Sequence, residues 1–334
     1  MRSRLIATLI LSALSVALLF VLGSRLVRFS HIFRAHAGPA LTQEQVELAY
    51  NSSTGEQKEA IPRIIHQIFH NFKDPSDNTI PEDWEVQRQT CIKHNPDFEH
   101  KLWTPQTSLE FLEKNYAWFV DTYNGYKFPV QRIDALRYFL MRHFGGIYID
   151  LDNGCMRDLK PLLHYPAWVT DGGQGTLSNN LLGARPGHPF WDLMTDSLIP
   201  WGYHYPLPYL AVSYASGQWY ETALWEDYHK MLEAAGSPEE DRIYRIMMDM
   251  REGADRWVFF TMGRGGSWDQ WDNHLFGWTG NVLFPWLLRN FIWIALGLGA
   301  VVLTHTYLRR RKARKALRYK KLDTEEREES HELH

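Results

Sequence analysis

At 334 residues, 45% of them hydrophobic, the chain has material for one large domain or two modest ones and for a sizeable core. The formal net charge of -3 hides a partition: basic residues gather near the two ends and leave an acidic middle, which argues against nucleic acid as a partner. Cys91 and Cys155 are the only cysteines, which excludes a disulfide framework and a cysteine zinc site and leaves one optional bridge.

In chain order, the first feature is the uncharged apolar run Leu5 to Leu22, flanked by Arg2, Arg4, Arg25 and Arg28. Eighteen helical residues reach about 27 Å, near the thickness of a bilayer core. Ala35-His36-Ala37 resembles a signal-peptide cleavage site but lies too far beyond the run, which favours a retained anchor. Residues from about Ala35 to Ala60 are polar and read as a stem, with an Asn51-Ser52-Ser53 glycosylation sequon usable only in a lumen. Pro62 to Phe69 suits a first buried strand, Pro81 to Asn95 a helix, and Phe98 to Trp103 a second strand. Thr104-Pro105 reads as the cap and first turn of a helix to about Asn115. This alternation predicts an α/β layered fold.

The central stretch Val130 to Leu163 organises the rest. Ile133, Leu136, Leu140 and Phe144 recur as on one helix face, Gly145 supplies a left-handed stop, and Ile147 to Leu151 reads as a central strand of a largely parallel sheet. Asp150 and Asp152 then fall at the strand's carboxyl end, where open α/β sheets bind ligands. Beyond them, Ala167 to Thr170 and Leu181 to Ala184 read as strands and Pro189 to Leu198 as a helix. Pro200 to Tyr220 reads as irregular loops fit for an acceptor groove, and Ser237 to Asp241 as a surface loop. A second apolar run, Trp286 to Leu303, precedes a dense basic run from Arg309 to Lys321, the pattern of a membrane span with a cytoplasmic flank. Two spans place both termini on one side and the domain between them in a lumen. The acidic end from Asp323 reads as a solvated tail.

Two carboxylates at i and i+2 after a strand can serve one hard divalent cation, and Asn153-Gly154 supplies the turn they need. Such a cation neutralises a diphosphate, the leaving group of a sugar nucleotide. Asp134 and Arg137, three apart on the preceding helix, either reach the same cleft or form a solvated intrahelical pair. The histidines, His66, His188 and His204 among them, show no metal-ligand spacing, and no Walker loop, nucleophile elbow or dinucleotide fingerprint is present. The cluster Trp268, Trp271, Phe276 and Trp278 reads either as a membrane-interface belt or as core.

Asp134-Ala135-Leu136-Arg137-Tyr138, followed by Gly145-Gly146-Ile147-Tyr148-Ile149-Asp150-Leu151-Asp152, resembles the signature of glycosyltransferase family 32, the DXD sugar-binding group. Ile61 to Phe69, Ser178-Asn179-Asn180 with Gly187-His188-Pro189-Phe190, and Gly266-Ser267-Trp268 are similar to its other segments. Two spans around a lumenal domain look most like the family's inositol phosphorylceramide mannosyltransferases.

The resemblance implies a GT-A-like (Rossmann-like) domain between two transmembrane helices. The implied boundaries are an anchor at 1–28, a stem at 29–60, a lumenal catalytic domain at 61–280, a second span at 281–308 and a cytosolic tail at 309–334. It also implies retaining transfer of mannose from GDP-mannose to inositol phosphorylceramide, in the Golgi or ER/Golgi membrane, with a membrane regulatory subunit as a possible partner. Asp134 and Arg137 would hold the donor sugar with Tyr138, and Asp150 would contact sugar and ribose. Asp150, Asp152 and Ser267 would hold Mn²⁺ or Mg²⁺, while Phe69 would stack on the base and Trp268 lie near the diphosphate. Asn180 stands where many relatives carry aspartate, beside the anomeric carbon, and Gly263-Arg264-Gly265 lacks the histidine often found before Gly-Ser-Trp. Two alternatives stand beside this reading: a family relative extending N-glycans or another glycan, and a degenerate, non-catalytic scaffold.

Overall fold

The computed structural model describes most of residues 14–261 and scattered positions between 272 and 312; residues 1–13, 54–57, 250–253, 262–271 and 313–334 lie outside the described set, with single positions elsewhere. The chain divides into two compact units, residues 1–269 and 270–334. In the second unit the described positions are helical, and Trp278, Trp286, Trp293 and Tyr307 are exposed. Among the described residues no helix is long and apolar enough to cross a membrane.

The first unit is built on one seven-stranded sheet. Its strands are β1 (Ala40–Thr42), β2 (Ile64–Ile68), β3 (Glu99–Trp103), β4 (Gly146–Ile149), β5 (Ala167–Asp171), β6 (Leu177–Ala184) and β7 (Tyr244–Met247), in the order β1-β7-β5-β6-β4-β2-β3. The helices are α1 (Gln43–Ser52), α2 (Glu82–His94), α3 (Pro105–Asn115), α4 (Val120–Gly125), α5 (Pro129–His143), α6 (Pro189–Trp201), α7 (Pro208–Ala215) and α8 (Gln218–Ala234). The predicted α/β layering is observed, but the sheet is mixed. β6 runs antiparallel to both β4 and β5, and its first residue is Leu177 rather than Leu181. That reversal sends the start of β6 to the same sheet edge as the carboxyl end of β4.

Alternation along the strands divides the core. Tyr148, Val169 and Leu182 pack on one face with Leu136, Leu140 and Trp191, whereas Ile147, Ile149 and Trp168 pack on the other with Ile65, Leu162 and Phe259. The central helix α5 is more deeply set than an amphipathic pattern predicts, since every residue from Asp134 to Met141 is buried. It starts at a proline, and the chain then turns at Gly145 and Gly146, both with positive φ, into β4. His66 on β2 holds this turn: its Nδ1 accepts from Trp103 Nε1, a donor only, so its Nε2–H donates to the Gly145 carbonyl at 3.0 Å. Burial holds that imidazole neutral, its pKa lowered to about 3.

Two stretches differ from the reading of the sequence. The segment 29–60 is not a free stem. β1 pairs in parallel with β7, and α1 follows with a Thr42–Gln45 capping box. Gln43 is buried, its amide donating to Met247 O and its carbonyl accepting from the Val258 and Phe259 amides. A polar composition concealed this because Gln43 is buried through hydrogen bonds rather than apolar area. Residues 200–220 are irregular only in part, for α7 and the start of α8 lie within them. Gly202 caps the end of α6, Pro208 starts α7 and Gly217 caps the start of α8.

Candidate active site

The carboxyl ends of β2 and β4, the start of β6, the first half of α5 and the α7–α8 junction enclose a cleft of about 750 Å³. Phe69 and His70 enter it from β2, Asp150 and Asp152 from β4, Ser178, Asn179 and Asn180 from β6, and Asp134 and Arg137 from α5. The sheet edge where sequence reasoning put the site is therefore where the cleft lies, and the antiparallel β6 completes it.

Arg137 is the centre of the charge arrangement. Its Nη2 lies 3.0 Å from Asp134 Oδ1, and its Nη1 lies 3.6 Å from Asp150 Oδ1 and donates to Asn179 O at 2.5 Å. The guanidinium also sits over the Tyr148 ring, 4.9 Å from its centroid. Burial opposes its charge, but Asp150, Tyr148 and Asp134 outweigh burial and hold it protonated. The pair with Asp134 exists, then, but as a buried pair, with side-chain exposures of 5% and 6%, rather than a solvated one. Asp134 also accepts from Asn179 Nδ2 at 3.1 Å and Ser216 Oγ at 3.2 Å. Even so, burial pushes its pKa up to about 6, with Arg137 lowering it and Asp150 raising it.

Asp150 keeps 29% of its side chain exposed and accepts a hydrogen bond from the Tyr148 hydroxyl. Burial raises its pKa against the pull of Arg137. For Asp152 burial comes first and the neighbouring Asp150 charge second, together raising it to about 6. The loop carrying these groups is pinned. Asn153 N donates to Asp150 O, Gly154 N to Thr261 Oγ1 and Cys155 N to Thr90 Oγ1. A Cβ at Gly154 would strike Gln87 and Thr90, and Cys155 is disulfide-bonded to Cys91 of α2. Asp152 therefore stands on a rigid turn, its Oδ1 accepting from Asn153 Nδ2.

Three carboxylates face one guanidinium here, a surplus of negative charge built from hard oxygen donors. That chemistry fits a divalent cation held by Asp150 and Asp152. Among the described residues no group of three or more His, Cys, Asp or Glu side chains could hold a metal. Ser267 and Trp268, expected to complete the metal and diphosphate contacts, lie outside the described residues, as does Arg264.

Phe69 lines the cleft, its ring edge-on to Trp84. Tyr138 does not line it. It is wholly buried, its hydroxyl donating to Ser216 O and accepting from Asn179 Nδ2, so it supports the site from behind rather than touching a ligand. At Asn180, the side-chain oxygen accepts from Thr170 Oγ1 and Ser178 Oγ, so its amide nitrogen is turned toward Asn153 and the cleft. The group at this position is a hydrogen-bond donor where an aspartate would be an acceptor.

Sequence reasoning passed over Tyr148 and Ser216, whereas the wall made by Tyr209, Val212, Ser213, Gly217 and Gln218 falls in the 200–220 stretch expected to form a groove. Tyr148 had a signal, since residues two apart on a strand share a face and it precedes Asp150 by two. Ser216 had none, being brought to Asp134 from 82 residues away. His66 and His188 are structural, the latter capping α6 through Phe190 N, and His204 lies outside the described residues.

Residues 81–168 match the family described as glycosyltransferase sugar-binding region containing DXD motif. The chain is 35% identical over 249 residues to inositol phosphoceramide mannosyltransferase 3 of Schizosaccharomyces pombe, covering 74% of this chain and 66% of that protein. It is 34% identical to mannosyl phosphorylinositol ceramide synthase CSH1 of Saccharomyces cerevisiae, covering 76% and 65%. With inositol phosphoceramide mannosyltransferase 1 of S. pombe it shares 30% identity over 80% of each chain. The chain thus spans just under two thirds of the length of the first two relatives. The matched region carries α5, β4 and both DXD aspartates, and on these grounds the chain belongs to the DXD-containing glycosyltransferase family, in the company of the inositol phosphoceramide mannosyltransferases.

Proposed function

We propose that this protein is a GT-A-like, retaining, metal-dependent mannosyltransferase that moves mannose from GDP-mannose to inositol phosphoceramide. The observation that carries the reading is the convergence of Asp134, Arg137, Asp150 and Asp152 on one cleft, in a chain whose relatives are named as inositol phosphoceramide mannosyltransferase and mannosyl phosphorylinositol ceramide synthase. Asp134 accepts hydrogen bonds from the donor sugar's hydroxyls, and Phe69 offers a ring face to the base. A Mn²⁺ or Mg²⁺ ion, when bound at Asp150 and Asp152, supplies Lewis-acid stabilisation of the departing diphosphate. Arg137, fixed in charge and orientation, adds a preorganised cation for the same developing charge. The donor amide of Asn180 faces the reacting side of the sugar. It offers no covalent nucleophile there, in keeping with same-face attack by the acceptor hydroxyl.

We read the domain as lumenal, in the Golgi or ER/Golgi, between two spans with both termini cytosolic. The apolar runs 5–22 and 286–303, the basic run after the second, and the Cys91–Cys155 bridge of an oxidising compartment support that placement.

The test is transfer of labelled mannose from GDP-mannose to inositol phosphoceramide by the purified full chain with Mn²⁺. Asp152→Ala should lower turnover by about a hundredfold or more while its thermal unfolding stays cooperative. Undiminished activity in that folded variant, or under strong chelation, refutes the metal role; labelling of soluble glycans in preference to the lipid refutes the acceptor.

A further inference from the structure

The wall of the cleft and the foot of the N-terminal helix are parts of one aromatic surface. Described positions from 14 to 31 are helical, and Leu14, Val16, Leu18, Leu19, Phe20 and Val21 are all exposed, so the described part of this run turns apolar side chains outward around the helix. Where the run ends, Phe29 packs edge-on against Trp219 of α8, 5.1 Å between centroids, and Phe33 lies 5.5 Å from the same ring. From Trp219 the next ring, 5.2 Å away, is Tyr209, which lines the cleft. On the other side Phe29 meets Tyr214, then Tyr205 at 5.8 Å and Tyr203 at 6.2 Å, the last 71% exposed. A continuous path of ring contacts thus joins solvent-facing Tyr203, the helix foot and the cleft.

Basic groups predominate around the foot, where the acidic Glu226 of α8 is taken up by His36 and the Ala37 amide. Residues 1–43 contain no Asp or Glu, and Arg25, His31 and Arg34 are exposed around the foot. Arg25 lies close enough to act electrostatically on the Tyr205 phenol. Amphipathic rings interleaved with arginines beside an apolar helix match the headgroup layer of a membrane rather than water or a protein core. We propose that this surface, from the helix foot to Tyr203 and Tyr205, seats in the headgroup layer of an anionic phospholipid bilayer and sets the Tyr209 side of the cleft against it. The proposal rests on the lipid-acceptor reading for its purpose. A lipid whose sugar-bearing head must reach Arg137 and Asp152 then moves only along the headgroup plane, past Tyr209, without leaving its leaflet. It also assigns α7 a double task, cleft wall on one face and membrane contact through Tyr214 on the other.

The test uses the full chain reconstituted in phosphatidylcholine vesicles with and without phosphatidylserine. Both native cysteines are bonded, so Tyr203→Cys takes a single fluorophore, and Glu110→Cys on α3 serves as the comparison. Doxyl-labelled lipid should quench the label at 203 several-fold more than that at 110, and more strongly with phosphatidylserine present. Adding Phe33→Asp and Tyr205→Asp should release the surface while the anchor remains, and bring the quenching at 203 down to that at 110. In the same double variant the KM for bilayer-embedded inositol phosphoceramide should rise about tenfold with kcat held, as when uniform binding is lost. Equal quenching at 203 and 110, or quenching at 203 untouched by the two aspartates, overturns the proposal. Failure to mannosylate inositol phosphoceramide at all would instead overturn the acceptor reading, and the quenching would still decide the surface.

Discussion

Asp134→Asn separates what this site gives to stability from what it gives to function. The carboxylate is 4% exposed and bonded to Arg137, Asn179 and Ser216, yet its folded pKa stands at about 6, above the ordinary 3.8. The folded protein therefore binds this proton more tightly than the unfolded chain does. The stability associated with protonated Asp134 is complete below pH 3.8 and is lost as pH rises through about 6. A rise from 3.8 to about 6 corresponds to at most about 3 kcal/mol at neutral pH. An asparagine keeps an acceptor for Asn179 and a polar partner for Ser216 but has nothing to ionise. Arg137 retains Asp150, the Asn179 carbonyl and the Tyr148 ring. Asp134→Asn should thus unfold about 5 °C higher than wild type at pH 7.5, with the gap closing toward pH 4. Its kcat/KM should fall about 10- to 100-fold, the worth of a charged hydrogen bond to the donor. Calorimetric melting across pH 4–8 together with donor kinetics reads both. A melting temperature below wild type at every pH would refute the reasoning, showing that the Asp134–Arg137 attraction outweighs the burial of its charges.

Glu221 on α8 is fully buried, neither carboxylate oxygen finds a hydrogen-bond partner among the described residues, and burial raises its pKa to about 8. Because the folded value exceeds 4.5, Glu221→Gln should be the more stable protein by a margin that widens from pH 5 to pH 8 and then levels, seen in urea midpoints. Tyr148→Phe removes the hydroxyl that orients Asp150 and should lower kcat/KM about tenfold while leaving the melting temperature within about 2 °C, since the ring stays under Arg137. Replacing Cys91 and Cys155 by serine opens a loop closed over 64 residues and should cost about 4 kcal/mol, measured by denaturant unfolding. It should also loosen the turn behind Asp152, so that metal activation of transfer requires more Mn²⁺.

Elements with strong local signals are legible in the amino-acid sequence. The span from Pro62 to Asp152 carries compact apolar strand runs, a Thr104-Pro105 helix start and a glycine stop, and each corresponds to an observed element within a few residues. The DXD aspartates and Phe69 are legible because a strand's end fixes where its next residues go. Tyr138 is misplaced for a related reason. It lies one residue beyond Arg137 on α5, and the sequence does not say that this helix is buried all round, which turns Tyr138 into the core.

What only the tertiary structure decided depends on contacts between distant segments. β6 reverses its direction, which no local pattern announces, and so brings Asn179 to Arg137 and Asn180 into the same cleft. Ser216 reaches Asp134, and Gln43 of the apparent stem is stitched to residues more than 200 positions away. Sequence by itself determined the kinds of side chain and their local faces, because backbone periodicity is set by neighbours. The fold decided which carboxylates lose water and share one guanidinium, because burial and charge balance belong to the packed whole.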